Sequence, residues 1–194
     1  MPRREETRPV RLELAAPEDA GPLTVIAAVA FFDDRKWMPA EIREERLSPE
    51  DPSKGPPLTS FDWNLEAIRN VNGESSKTQS AYYKVLLGES KVVGGFVAVE
   101  RRDFGEGEWW CGGIYVDPDY QGRGIGKEIF RQVFRRHPNA KRWTLETPVW
   151  ATRNHHFYEK MGFSHFGTCD IEPPEEFQFR QYENTLSQEE RLKL

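Results

Sequence analysis

Hydrophobic positions change period several times along this chain, and each change marks an element. Val10-Arg11-Leu12-Glu13-Leu14 alternates apolar and polar residues, which predicts a strand. Pro17-Glu18-Asp19 then opens a helix, with proline in the first turn and acids at its positive end. The helix carries on through Leu23 to about Phe32, with its exact start blurred by Gly21-Pro22. Phe61, Leu65 and Ile68 recur at helical spacing and predict a helix to about Asn70. It is opened by Thr59-Ser60-Phe61-Asp62, a capping box with Asp in place of Glu or Gln, and closed by Asn72-Gly73. From Ala81 the texture changes. Tyr82–Leu87, Val92–Glu100 and Trp109–Val116 read as strands, joined by turns at Gly88–Ser90 and Asp103–Gly107, hence an antiparallel meander. Gly112-Gly113 inside the third strand predicts a bulge, or a backbone that something approaches closely.

Ile125, Ile129, Val133 and His137 then recur every four residues, with Phe130 and Phe134 beside them, so an amphipathic helix runs up to Pro138. Trp143–Val149 predicts a strand, Asn154–Met161 a helix closed by Gly162, and Phe163–Thr168 and Phe177–Tyr182 two last strands. That order describes one α/β (α+β) layer domain on a mixed sheet, spanning residues 1–194. The ends, 1–8 and 187–194, are expected to be loose. Asp33–Ser60 holds Pro39, Pro49, Pro52, Pro56 and Pro57 and reads as an insertion, mostly loop, with a short helix near Ala40–Leu47.

Charge and cysteine content narrow the partners. A net charge of -5, from 27 basic and 32 acidic residues, argues against a nucleic-acid backbone as partner. Cys111 and Cys169 are too few for a disulfide framework or a cysteine-rich metal site. The longest apolar run, Leu23–Phe32, is too short to cross a bilayer, and the start lacks a signal-peptide layout. The expectation is a cytoplasmic protein with no membrane partner.

The stretch Ile114-Tyr115-Val116-Asp117-Pro118-Asp119-Tyr120-Gln121-Gly122-Arg123-Gly124-Ile125-Gly126-Lys127 carries the most specific chemistry. A strand ending in alternating glycines at a helix N-terminus offers unobstructed N–H groups and a positive dipole end to an anion. Two phosphate motifs fail by position. A dinucleotide fingerprint starting at Gly122 would need glycine where Lys127 stands. A P-loop ending in Gly126-Lys127 would need glycine at Gln121 and Ser or Thr at Glu128.

What does fit is Gln121-x-x-Gly124-x-Gly126 after Ile114-Tyr115-Val116-Asp117-Pro118. This resembles the first motif of the GNAT family of N-acetyltransferases. Leu145-Glu146-Thr147-Pro148 followed by Phe157-Tyr158-Glu159-Lys160-Met161-Gly162-Phe163 is similar to the family's later motif. The element order also agrees, from about Tyr82 to Tyr182, whereas the likeness before Asp33 is weak.

The resemblance implies a mixed, mostly antiparallel sheet with helices on both faces, and acetyl-CoA as co-substrate without a metal. The acceptor would be a small-molecule or peptide amine, and a homodimer is left open. Backbone N–H groups of Gly122, Arg123, Gly124, Ile125, Gly126 and Lys127, after Gln121, would hold the pyrophosphate. Ile114, Tyr115 and Val116 would pair with the pantetheine arm, and an N–H near Gly112-Gly113 would polarise the thioester. Tyr158 stands where the family's general acid sits. An asparagine often opens the family's last helix seven residues before that tyrosine; here Ala151 stands there, and Asn154 is the substitute. The family's strand glutamate falls on Trp110, so Glu108 and Glu146 are the candidate bases. Asp33 and Asp34 with Trp37 and Trp63 would suit a cationic acceptor. The missing asparagine and strand glutamate also fit another class, a non-catalytic CoA-binding or regulatory module.

Overall fold

The computed structural model describes residues 9–38, 40, 56–71, 80–170 and 178–194. Seven strands form one sheet in the order β1-β2-β3-β4-β5-β7-β6. They are β1 (Val10–Leu14), β2 (Ala81–Leu87), β3 (Lys91–Glu100), β4 (Glu108–Val116), β5 (Arg142–Pro148), β6 (Ser164–Cys169) and β7 (Phe179–Asn184). All neighbours are antiparallel except β4 and β5. The described helices are α1 (Ala20–Asp34), α2 (Phe61–Val71), α3 (Ile125–Arg136), α4 (Thr152–Lys160) and α5 (Gln188–Arg191).

Strand alternation sends successive residues to opposite faces, and the sheet buries both. Tyr83, Phe96, Trp109, Trp143 and Leu145 meet Ile129, Phe130 and Phe134 of α3 and Tyr158 of α4. Their strand neighbours Tyr82 and Val97, with Tyr115, meet Leu23, Ala27 and Ala30 of α1 and Ile68 of α2. The small buried residues of α1 let that helix lie close against β3 and β4. The mixed sheet with helices on both faces is therefore as expected.

Several details depart from the sequence reading. Pro17–Asp19 is a separate 3-10 turn, and α1 begins at Ala20. Asp19 holds this corner: it accepts the Ala16 N–H at 2.8 Å and pairs with Lys84 at 3.0 Å. The box expected at Thr59–Asp62 is replaced by Ser60 alone, whose Oγ accepts the Trp63 N–H at 3.4 Å, while Thr59 bonds back to the Pro56 carbonyl. Residues 187–194, expected to be loose, are anchored. Ser187 and Glu190 form a capping box on α5, and Arg191, 1% exposed, donates to the carbonyls of Ala140, Lys141 and Asn184. A tail held by a buried arginine shows no apolar periodicity, so the pattern missed it. Residues 1–8, Phe177 and all but residue 40 of the helix expected over 40–47 lie outside the described residues.

Candidate active site

The site is built on β4. Val97 pairs with Gly113 and Ala98 with Cys111, so Gly112 is skipped as a bulge, as its sequence predicted. On its other edge β4 pairs with β5 only at Glu108↔Arg142, Trp109↔Trp143 and Trp110↔Thr144. Beyond those pairs the strands part, while β5 continues its ladder with β7 to Pro148↔Phe179. Cys111 to Val116 therefore have a ladder on the β3 side only, and a wedge-shaped gap opens in the middle of the sheet.

The glycine turn sits at the end of the strand that borders the gap. Gly122 and Gly124 have φ of +74° and +80°, a left-handed conformation that disfavours side chains. A Cβ on either would meet nothing within 4 Å, so the space in front of them is open. Gly126 serves a different end: a Cβ there would lie 2.9 Å from the Phe157 ring, so its absence lets α3 and α4 approach. The first-turn N–H groups of α3, a 12-residue helix, face the same region. Open space in front of exposed N–H groups suits an anionic diphosphate, and the unpaired edge of β4 at Ile114, Tyr115 and Val116 suits an amide-bearing arm.

Gln121 closes the turn onto the strand. Its amide donates to the Val116 carbonyl at 2.8 Å, and its Oε1 accepts from Arg153 at 2.9 Å. Arg123 donates to the Asp119 carbonyl and lies over the Tyr120 ring, which Lys91 also approaches. Lys127 is exposed on the first turn of α3. Tyr115 is buried beneath β4, its hydroxyl 2.6 Å from that of Tyr82.

Tyr158 is buried among Phe130, Phe157, Phe163 and Tyr182. Burial pushes its hydroxyl well above the ordinary tyrosine range, with the charges of Cys111 and Asp34 adding to the effect. It shares this buried cluster with Cys111 of the bulged strand. Cys111 is buried too, and its thiol is likewise raised, which disfavours a thiolate nucleophile.

The two candidate bases separate. Glu108 lies at the closed end of the gap, paired with Arg142 at 3.2 Å, and Arg142 also holds Glu183 at 2.7 Å. Glu146 lies just beyond the last β4–β5 pair, its carboxylate accepting Trp110 Nε1 at 2.5 Å. Asn154 hydrogen-bonds the Asp34 carboxylate from the first turn of α4. His155 is buried against Tyr182 and bonds the Pro148 carbonyl at 2.9 Å. Asp33 is taken by Lys36 at 2.8 Å, and Trp63 packs in the α1–α2 core away from Asp34. The residues around Asp34 are instead Trp37, Trp150, Arg153 and Asn154. Arg153 and Trp150 carried no motif of their own; only their place right after β5 hinted at the gap.

Among the described residues no group of three His, Cys, Asp or Glu could hold a metal, and no helix is long and apolar enough to cross a membrane.

Comparison with curated protein sequences gave no match. Solved structures share the fold at low identity. An N-acetyltransferase from Thermoplasma acidophilum in complex with coenzyme A is 15% identical, with TM-score 0.67 over 92% of this chain and 99% of that one. Spermidine N-acetyltransferase from Vibrio cholerae, in complex with CoA and spermine, is 15% identical at TM-score 0.65 over 94% and 98%. The ribosomal-protein-S18-alanine N-acetyltransferase of Escherichia coli is 13% identical at TM-score 0.63 over 92% and 95%. The profile of the Acetyltransferase (GNAT) family matches residues 40–163, which spans both the glycine turn and the Tyr158 helix. The chain belongs to the GNAT family of acetyltransferases.

Proposed function

We propose that the protein is an acetyl-CoA-dependent N-acyltransferase that passes the acetyl group directly to an amine in a ternary complex. The observation that carries this reading is the β4–β5 gap opening onto the left-handed turn at Gly122 and Gly124. Acetyl-CoA supplies an activated acyl carbon; the chain supplies position, charge and proton transfer. The N–H groups of Gly122 to Lys127 hold the diphosphate, and the free edge of Ile114 to Val116 orients the pantetheine arm. The bulge at Gly112 turns strand N–H groups toward the developing oxyanion.

An amine acceptor is mostly ammonium at neutral pH and must lose a proton before it reacts. Glu146 takes it, because its carboxylate borders the gap and is held by one neutral donor, Trp110. Glu108 is withdrawn into its pair with Arg142. Tyr158 gives a proton from Oη to the departing thiolate and regains one from the second N–H proton that the acylated nitrogen sheds. Burial keeps that proton in place until the thiolate forms. Free-thiol release from acetyl-CoA with a panel of amines tests the reading. Amine-dependent release is expected; tight CoA binding with no release for any amine refutes it in favour of a binding module.

A further inference from the structure

Asp34 lies beside the start of α4, and it is held in an unusual way. It is the last residue of α1, and its side chain is only 18% exposed. Arg153, the second residue of α4, donates to it at 2.6 Å. The same guanidinium donates through Nη1 to Gln121, the residue that opens the glycine turn. α1 packs on β3 and β4, whereas α4 follows β5. The Asp34–Arg153 pair therefore bridges the two sides of the gap at its mouth.

The surroundings of Asp34 suit a cation. The cleft beside it is lined by Trp37 and Trp150, and indole faces attract ammonium groups. Lys36 already lies 5.7 Å from the Trp37 ring, yet its ammonium is committed to Asp33 at 2.8 Å. Asn154 supplies Asp34 with a neutral donor, not a charge. The only cation bonded to the Asp34 carboxylate among the described residues is thus Arg153. That arginine already touches the turn where a diphosphate would sit. A diphosphate carries more charge than one carboxylate and accepts the guanidinium fork just as well.

Resting on the transferase reading above, we propose that Asp34, walled by Trp37 and Trp150, anchors a positively charged group of the acceptor, and that Arg153 occupies this anchor until the cofactor's diphosphate draws the guanidinium away. The acceptor class is then a diamine-like compound. One ammonium rests on Asp34, and the other amine gives up its proton and reacts. The bridge also makes acceptor binding depend on the cofactor.

The test uses the full chain, acetyl-CoA, CoA, 1,4-diaminobutane and n-butylamine. Wild type should favour the diamine over the monoamine by about tenfold or more in kcat/KM, the size of one hydrogen-bonded charge pair. Asp34→Asn should bring that ratio close to one, and Trp37→Leu, at an exposed indole, should narrow it several-fold even if Asp34→Asn folds poorly. In calorimetry, diaminobutane should bind wild type well only in the presence of CoA. Arg153→Gln should bind it without CoA, and should bind CoA itself about tenfold more weakly. Transfer to both amines at equal rates by wild type, or an unchanged ratio in Asp34→Asn and Trp37→Leu, overturns the anchor and leaves the transferase reading standing. Diamine binding to Arg153→Gln that still requires CoA overturns the role of Arg153. No thiol release by wild type with any amine overturns the transferase reading itself, and the anchor with it.

Discussion

Gly124→Ala separates the two things the glycine turn does. The residue sits at φ +80° and ψ 2°, as the N-cap of α3. An alanine held there costs about 1–2 kcal/mol of left-handed strain. Nothing in the folded chain lies within 4 Å of the new methyl, so no packing cost adds to it. For a chain of 194 residues this lowers Tm by roughly 2–8 °C. The methyl does point into the open space assigned to the diphosphate. Losing one charge-assisted N–H contact there, worth about 1.5–3 kcal/mol, weakens CoA by roughly ten- to a hundredfold. Gly126→Ala is the control. Its Cβ meets the Phe157 ring at 2.9 Å, so it costs about 1–3 kcal/mol of overpacking but leaves the cradle unfilled. Calorimetric titration of CoA into both variants, with thermal denaturation alongside, reads the two effects apart. A normal CoA Kd for Gly124→Ala, with its Tm lowered as expected, would refute the assignment of this turn as the diphosphate site.

Three further outcomes follow from the same geometry. Tyr158→Phe should lower kcat by about 10²–10⁴-fold with CoA affinity unchanged in titration, and an unchanged kcat removes the hydroxyl from the mechanism. Glu146→Gln should lower kcat/KM by about a hundredfold, whereas Glu108→Gln should alter stability by under about 1 kcal/mol, since Arg142 keeps Glu183; equal effects on rate would return Glu108 to candidacy. His137 is held down to about 4, chiefly by burial and then by the Arg136 charge, against Trp109 and Tyr83. Because the unfolded chain takes up that proton first, the stability it contributes is complete above about 6.5 and is lost as pH falls toward 4, by up to about 2 kcal/mol at pH 5. His137→Gln should flatten this part of the pH–stability curve, and an equally steep curve rules His137 out as its source.

The sheet was legible because most of its strands bury two faces with alternating large residues, and α3 because Ile125, Ile129 and Val133 share one stripe. The glycine turn was legible because backbone conformation is written in glycine. The carboxylates were harder to read. Glu108 and Glu146 sit on strands of the same character, and only the register of β4 against β5 shows that one is closed off by Arg142 while the other borders the gap. Asp34 stands far in the chain from Trp150 and Arg153, and none of the three belongs to a repeat or motif. Their meeting depends on where α1 ends relative to α4, a tertiary fact that spacing does not encode. Trp63, expected with Trp37 beside a cationic acceptor, packs against the α1–α2 core instead.

A gap in the middle of a sheet poses a mechanical problem, and the residues beneath β4 answer it. From Cys111 to Val116 the strand forgoes the β5 ladder, so half of its usual backbone restraint is absent. The β3 ladder continues to Val116↔Gly94, with glycines at Gly94 and Gly95 where any Cβ would collide with the Tyr115 backbone or ring. Those glycines let Tyr115 lie flat under the sheet, where its hydroxyl meets Tyr82 and, through it, Asn64 at 2.5 Å. Asn64 is fully buried and donates to Thr24 of α1 and to the carbonyls of Leu58 and Ser60. The open edge of β4 is thus braced from the α1–α2 face by a closed set of hydrogen bonds. Such a brace keeps the strand rigid while leaving its free edge available, which is what pairing with a bound arm requires.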